Sequence, residues 1–178
     1  MRRLEKLSPE EFEKEVRRVL SLTGRRLKSF TTAHLETIRG TDGEYTFDVT
    51  ATFEALGADF LVLIECKHQK DAVKREVLQV LRDKMQSVGA HKGMVFSTAT
   101  FQRGARDYAT SHRMALVHVT DSGMVYIRKG AGMSSDTGVP ASWIAVPGEE
   151  SYRTLDAEGL ALLRNELFSE QGGTQQQA

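Results

Sequence analysis

The chain opens with a polar stretch that turns periodic at Phe12, after which Val16, Val19 and Leu20 recur on one face of a helix. Ser8 as N-cap, Pro9 at the first helical position and Glu11 three residues after the cap mark its start, with Leu7 placed to staple onto Phe12. Thr23 and Gly24 end it. Residues 26 to 38 read as mixed and extended, and Gly40 with Asp42-Gly43 supplies a turn. The segment "YTFDVTATF" then alternates. Phe47, Val49, Ala51 and Phe53 fall on one face and Thr46, Asp48, Thr50 and Thr52 on the other, the signature of a half-buried strand.

Gly57 turns the chain into Phe60-Leu61-Val62-Leu63-Ile64, a continuous apolar run that reads as a central strand covered on both sides. A helical stripe of Val73, Val77, Val80, Leu81, Met85 and Val88 predicts a helix over about 70 to 88, closed by Gly89. "KGMVFST" (92 to 98) predicts a strand, "FQRGARDYATSH" (101 to 112) a helix and "MALVHVT" (114 to 120) a strand. "GMVYIRK" adds a further strand after the turn at Asp121-Ser122-Gly123. The pattern divides the chain into one domain over 1–130, an extension over 131–170 closed by the helix "LDAEGLALLRNELF", and a disordered tail over 171–178.

A chain of 178 residues is long enough to bury a core without staples. The single cysteine cannot form an internal bridge, and the five histidines lack the spacing of a zinc site. No stretch approaches a membrane span or a signal peptide, so the composition leads to the expectation of a soluble, untargeted, cytoplasmic protein. The formal net charge of zero hides a gradient: residues 1–119 carry 20 Lys and Arg against 16 acids, and the remainder 4 against 8. A mildly basic front is compatible with a nucleic-acid partner.

The apolar strand ends oddly, in Glu65-Cys66-Lys67. Alternation places Glu65 and Lys67 on one face, with Cys66 turned inward beside Val62 and Ile64 as packing and not as a nucleophile. A short connection at Gly57 implies an antiparallel hairpin, which would carry Asp48 to the strand next to Glu65 and Lys67. Each of these charges alone is an ordinary exposed residue. Together, two carboxylates and an ammonium at a sheet edge are the components of a hard-cation phosphodiesterase. Mg²⁺ binds through one or two carboxylates and keeps several waters. A lysine can then orient or help deprotonate the attacking water, or stabilise the charge building on the phosphate. The backbone carbonyl of Cys66 is a further candidate ligand. On the first helix, the 100° period puts Glu13 at the border of the apolar stripe, able to face the sheet, and Glu15 nearly opposite it.

The order of these features, "FEKEVRRVLSLTG", then "FDV", then "IECK", then an amphipathic helix and "KGMVFSTATFQRGARDYA", resembles the PD-(D/E)xK nuclease superfamily, and within it the Mrr-type restriction endonuclease catalytic domain. The resemblance covers about residues 8 to 119. It implies an α/β fold with a restriction-endonuclease-like αβββαβ core, a mixed central sheet flanked by helices. It also implies DNA cleavage dependent on Mg²⁺ or Mn²⁺, with Asp48 and Glu65 as metal ligands, Lys67 as the catalytic lysine and Glu13 completing the site.

DNA would be held through its phosphates, which needs cations near the site. From 67 to 84 there are six Lys or Arg against three acids. His68, Gln69, Lys70, Lys74, Arg75 and Gln79 are the DNA-binding candidates, with Arg103 and Arg106 as weaker ones. Mrr-type enzymes commonly carry a separate recognition domain for which this chain has little room, so a homodimer or a separate specificity protein is the expected source of targeting. The leading reading is a DNA endonuclease of restriction or defence against foreign DNA. The alternatives are a structure-selective repair or recombination nuclease, similar to Holliday-junction resolvases, and a non-catalytic binding module of the same fold.

Overall fold

The computed structural model describes residues 4–121 and 123–128. Helix α1 (Pro9–Thr23) starts where the sequence predicts: the Glu11 amide donates to Ser8 Oγ at 3.2 Å, and the Ser8 amide donates to the Glu11 carboxylate at 2.8 Å. Phe12, Val16 and Val19 are its buried face. Gly24, just after it, has an ordinary φ of −82°. Glycine is required there by space, because a Cβ would lie 2.2 Å from the Phe30 ring.

Among the described residues six strands follow, interrupted by two helices: β1 (Lys28–Arg39), β2 (Glu44–Ala55), β3 (Ala58–Lys67), α2 (Arg75–Val88), β4 (Lys92–Ser97), α3 (Arg103–Ser111), β5 (Ala115–Thr120) and β6 (Gly123–Arg128). The strands form one sheet in sequence order. The first three are antiparallel to one another, β3, β4 and β5 run parallel, and β6 returns antiparallel to β5. The β2–β3 hairpin turns at Leu56 and Gly57, both with positive φ (54° and 77°), as a two-residue loop matched to strand twist requires. That turn fixes the register from Ala55 opposite Ala58 to Val49 opposite Ile64. Among the described residues no helix is long and apolar enough to cross a membrane.

The sheet is covered on both faces. On one side α1 packs Phe12, Val16 and Val19 against Val49, Ile64 and Phe96; on the other α2 and α3 pack Leu78, Leu81, Ala105 and Ala109 against Leu63, Val95 and Leu116. Leu63 and Ile64 are neighbours in β3 that serve opposite layers, and both are buried, so the apolar run is a central strand. This is the mixed central sheet with flanking helices that the resemblance implies.

The structure corrects the sequence reading in two places. The alternation expected along β2 breaks at Asp48: Phe47 packs in the layer under α2, whereas Val49 and Ala51 pack under α1. In β1, Leu35 sits between the residues opposite Phe47 and Val49 and takes a left-handed φ of 53°, so both strands are irregular at this level. The helix expected from about 70 begins at Arg75. Val73 precedes it, fully buried in a bridge to Phe101, while Val80 is 54% exposed and Leu78 takes the core position. The wheel explains this: Leu78, Leu81 and Met85 lie within one arc, and Val80 falls outside it. The extension, its closing helix and the tail expected over 131–178 lie outside the described residues.

Candidate active site

The end of β3 is held on one side only by backbone. Glu65, Cys66 and Lys67 lie opposite Val95, Phe96 and Ser97 of β4. Towards β2 the ladder stops at Val49 and Ile64, and one step beyond it the Asp48 side chain takes the place of a backbone carbonyl. The Cys66 amide donates to Asp48 Oδ2 at 2.7 Å. The break in β2 thus carries a carboxylate into the sheet edge beside the end of β3.

Lys67 Nζ donates to Glu65 Oε1 at 2.6 Å, with the two side chains 31% and 17% exposed. Both are on the face predicted from alternation, clear of Cys66, which packs in the α1 layer. Glu13 comes from α1. Its Oε2 lies 2.9 Å from Nε2 of His34 on β1, and both side chains are largely covered. Glu15 instead pairs with Arg18. Sequence reading had no signal for His34, whose role depends on β1 lying beside α1.

The electrostatics show how these groups feel one another. Burial pushes the Asp48 carboxyl up to about 6; the Cys66 amide opposes the rise, the charges of Glu65 and Glu13 add to it, and Lys67 opposes it. For Lys67, burial works against the ammonium, but the hydrogen bond and charge of Glu65, with Asp48, outweigh it and hold the group above its ordinary range. Burial first, then the surrounding carboxylates, pushes the Cys66 thiol well up, so it stays an inert packing group. Asp48, Glu65 and Lys67 thus lie together at the end of β3, with Glu13 near enough for its charge to act on Asp48.

Asp48 and Glu65 are hard oxygen donors, and the raised Asp48 pKa reflects burial first and the charges of Glu65 and Glu13 after it, all of which disfavour a carboxylate without a cation beside it. Among the described residues no three His, Cys, Asp or Glu side chains gather as a ready cage. A Mg²⁺ ion that takes one or two carboxylates and completes its shell with water does not need one. The donor set fits such an ion in type and number.

The DNA-binding candidates divide. His68 packs its ring against Phe12 and bonds the Leu4 carbonyl at 2.9 Å. Gln69 is tied to Thr98 through its backbone and to the Asp71 carbonyl through its side chain. Lys70, Lys74, Arg75 and Gln79 are exposed, with the Arg75 guanidinium over the Tyr108 ring. Their loop is anchored by Val73, whose amide donates to Thr100 and whose carbonyl accepts from Gln102. Arg103 and Arg106 are exposed on α3.

A sequence-family profile described as a restriction endonuclease, the Mrr catalytic domain, matches residues 4–121. No curated protein matches the chain. Two solved structures are similar to it: the protein of unknown function AF1548, at 21% identity and TM-score 0.48, and the DNA modification-dependent restriction endonuclease AspBHI, at 16% identity and TM-score 0.37. The alignments cover 59% and 64% of this chain, but 56% and 33% of those proteins. The family profile spans most of the chain and runs from the residues before α1 to the end of β5, so the chain belongs to the restriction endonuclease family, with an Mrr-type catalytic domain of the PD-(D/E)xK superfamily.

Proposed function

We propose that the protein is a Mg²⁺- or Mn²⁺-dependent DNA endonuclease acting in restriction or defence against foreign DNA. The observation that carries this reading is the Asp48 carboxylate bonded to the Cys66 amide beside the Glu65–Lys67 pair. In this reading Asp48 and Glu65 hold the ion, with the Cys66 carbonyl as a further ligand. An ion held by these residues would polarise a phosphate oxygen and supply a nucleophilic water near neutral pH. Lys67, held as an ammonium, orients that water and offsets the charge that develops on the phosphate; its raised pKa argues against a role as base. Glu13, steadied by His34, supports the site through a bridging water or a second ion.

The test is incubation of supercoiled plasmid with Mg²⁺, Mn²⁺ or EDTA, comparing wild type with Lys67→Ala. Nicked or linear product is expected with either ion and wild type, none with EDTA, and a loss of about 10²–10³ in rate for the variant. Cutting that persists in EDTA, or that Lys67→Ala leaves intact, refutes the assignment.

A further inference from the structure

The outer face of α1 carries a row of cations to which the proposed chemistry assigns no part. Between residues 14 and 28 the chain has six Lys or Arg against one acid, in a molecule of zero formal net charge. Helical spacing puts Lys14, Arg17, Arg18, Ser21 and Leu22 on one side of α1, and Arg25, in the 3-10 turn that follows it, joins them in lining an open groove. Lys14 is bonded to Glu10 and Arg18 to Glu15. Arg17 and Arg25 are exposed and, among the described residues, in no ion pair. The groove's floor is fixed, since Ser21 Oγ lies 2.7 Å from Thr32 Oγ1 and donates to the Arg17 carbonyl at 2.9 Å.

Position gives the row its meaning. Glu13, one turn before Arg17 on the same helix, bonds His34 and lies near enough for its charge to act on Asp48, and Phe12 packs on His68 just past the end of β3. From there α1 runs away from the cluster along the edge strand β1: Glu13 meets His34, Ser21 meets Thr32, and Gly24 meets Phe30. The row from Lys14 to Arg25 is about 17 Å long at 1.5 Å per residue. That matches roughly five base pairs of duplex backbone at 3.4 Å each.

We propose that this groove is a second DNA contact, in which Arg17 and Arg25 engage phosphates of the duplex flanking the cleaved bond. The inference rests on the endonuclease reading for the identity of its ligand. Phosphate is the ligand that a row of exposed cations with a polar floor favours, and binding there carries no sequence information.

The experiment measures the affinity of the full chain for a linear duplex, with EDTA present to prevent cutting, over a range of salt concentrations. Loss of two phosphate contacts in Arg17→Gln/Arg25→Gln should lower the log-log salt slope by about 2 and weaken binding about tenfold at physiological salt. Glu15→Gln, which removes the one negative charge between residues 14 and 28, should bind more tightly than wild type. Unchanged affinity and slope in the double variant overturn the proposal, as does Glu15→Gln binding no tighter. Plasmid cleavage by wild type separates the two readings: a wild type that cuts, with a double variant of unchanged salt slope, removes the groove and leaves the nuclease. A chain that binds through the groove but never cuts does the reverse.

Discussion

The Cys66 amide donates to Oδ2 of Asp48 at 2.7 Å, at the point where the β2–β3 ladder ends. A carboxylate here satisfies an amide that would otherwise lose its partner, and it does so in a place where burial and the charges of Glu65 and Glu13 disfavour its ionised form. The residue therefore supports the strand end and carries an electrostatic cost. Charge crowding of this kind is common where a site serves chemistry before stability.

Stability should depend on pH through Asp48. Its folded pKa of about 6 lies above the 3.8 of an exposed aspartate, so its contribution is fully present below about 4 and is lost as pH rises through about 6. Asp48→Asn keeps an oxygen that can accept from Cys66 and removes the charge. This variant should melt higher than wild type at pH 8, with the gap closing towards pH 4, as followed by thermal denaturation without divalent ions. A gap of equal size at both pH values would show that the charge is not the cause. Cleavage by Asp48→Asn should be lost while duplex binding persists.

Divalent ion should stabilise the fold through the same carboxylates. An ion that binds only the folded state, at a hundred times its dissociation constant, adds about 2.7 kcal/mol. Melting of wild type should therefore rise with Mg²⁺ or Mn²⁺ and fall back with EDTA, and the rise should vanish in Glu65→Gln. Equal rises in both proteins would place the ion elsewhere.

The residues after β3 should separate into DNA contacts and structural ties. Lys70 and Lys74 are exposed, so Lys70→Gln/Lys74→Gln should reduce the salt slope of duplex binding by about 2 with melting unchanged. His68 is engaged with Phe12 and Leu4, and His68→Ala should lower the melting temperature. Measuring both properties for both variants tests the division, and the reverse pattern would contradict it.

Gly24→Ala should destabilise the protein by about 1–3 kcal/mol, the usual range for overpacking. The Phe30 ring would have to leave its place against the end of α1, since the added Cβ meets it at 2.2 Å. Denaturant unfolding reports the loss. In the double variant Gly24→Ala/Phe30→Ala, the alanine at 24 should cost much less than it does beside Phe30.

The elements were legible in the sequence because short-range chemistry sets them. Ser8 and Glu11 cap α1, Gly57 turns the hairpin, and the strict alternation of Glu65, Cys66 and Lys67 decides which side chains face the edge. The 100° period separates Glu13, facing His34, from Glu15, facing Arg18. Each of these depends on neighbours within a few residues.

The convergence of the cluster was decided in three dimensions. Asp48 departs from the alternation of its own strand, and no local pattern announces the change, because Phe47 and Val49 are both apolar and each is buried in a different layer. Val73 enters the core from outside α2, because its bridge partner is Phe101, far along the chain. His34 meets Glu13, and the cations of α1 line one groove, because the sheet lays β1 beside that helix. The sequence determined the parts and the faces they present, since periodicity and capping act locally. Tertiary packing decided which faces meet, since register and burial depend on residues far apart in the chain.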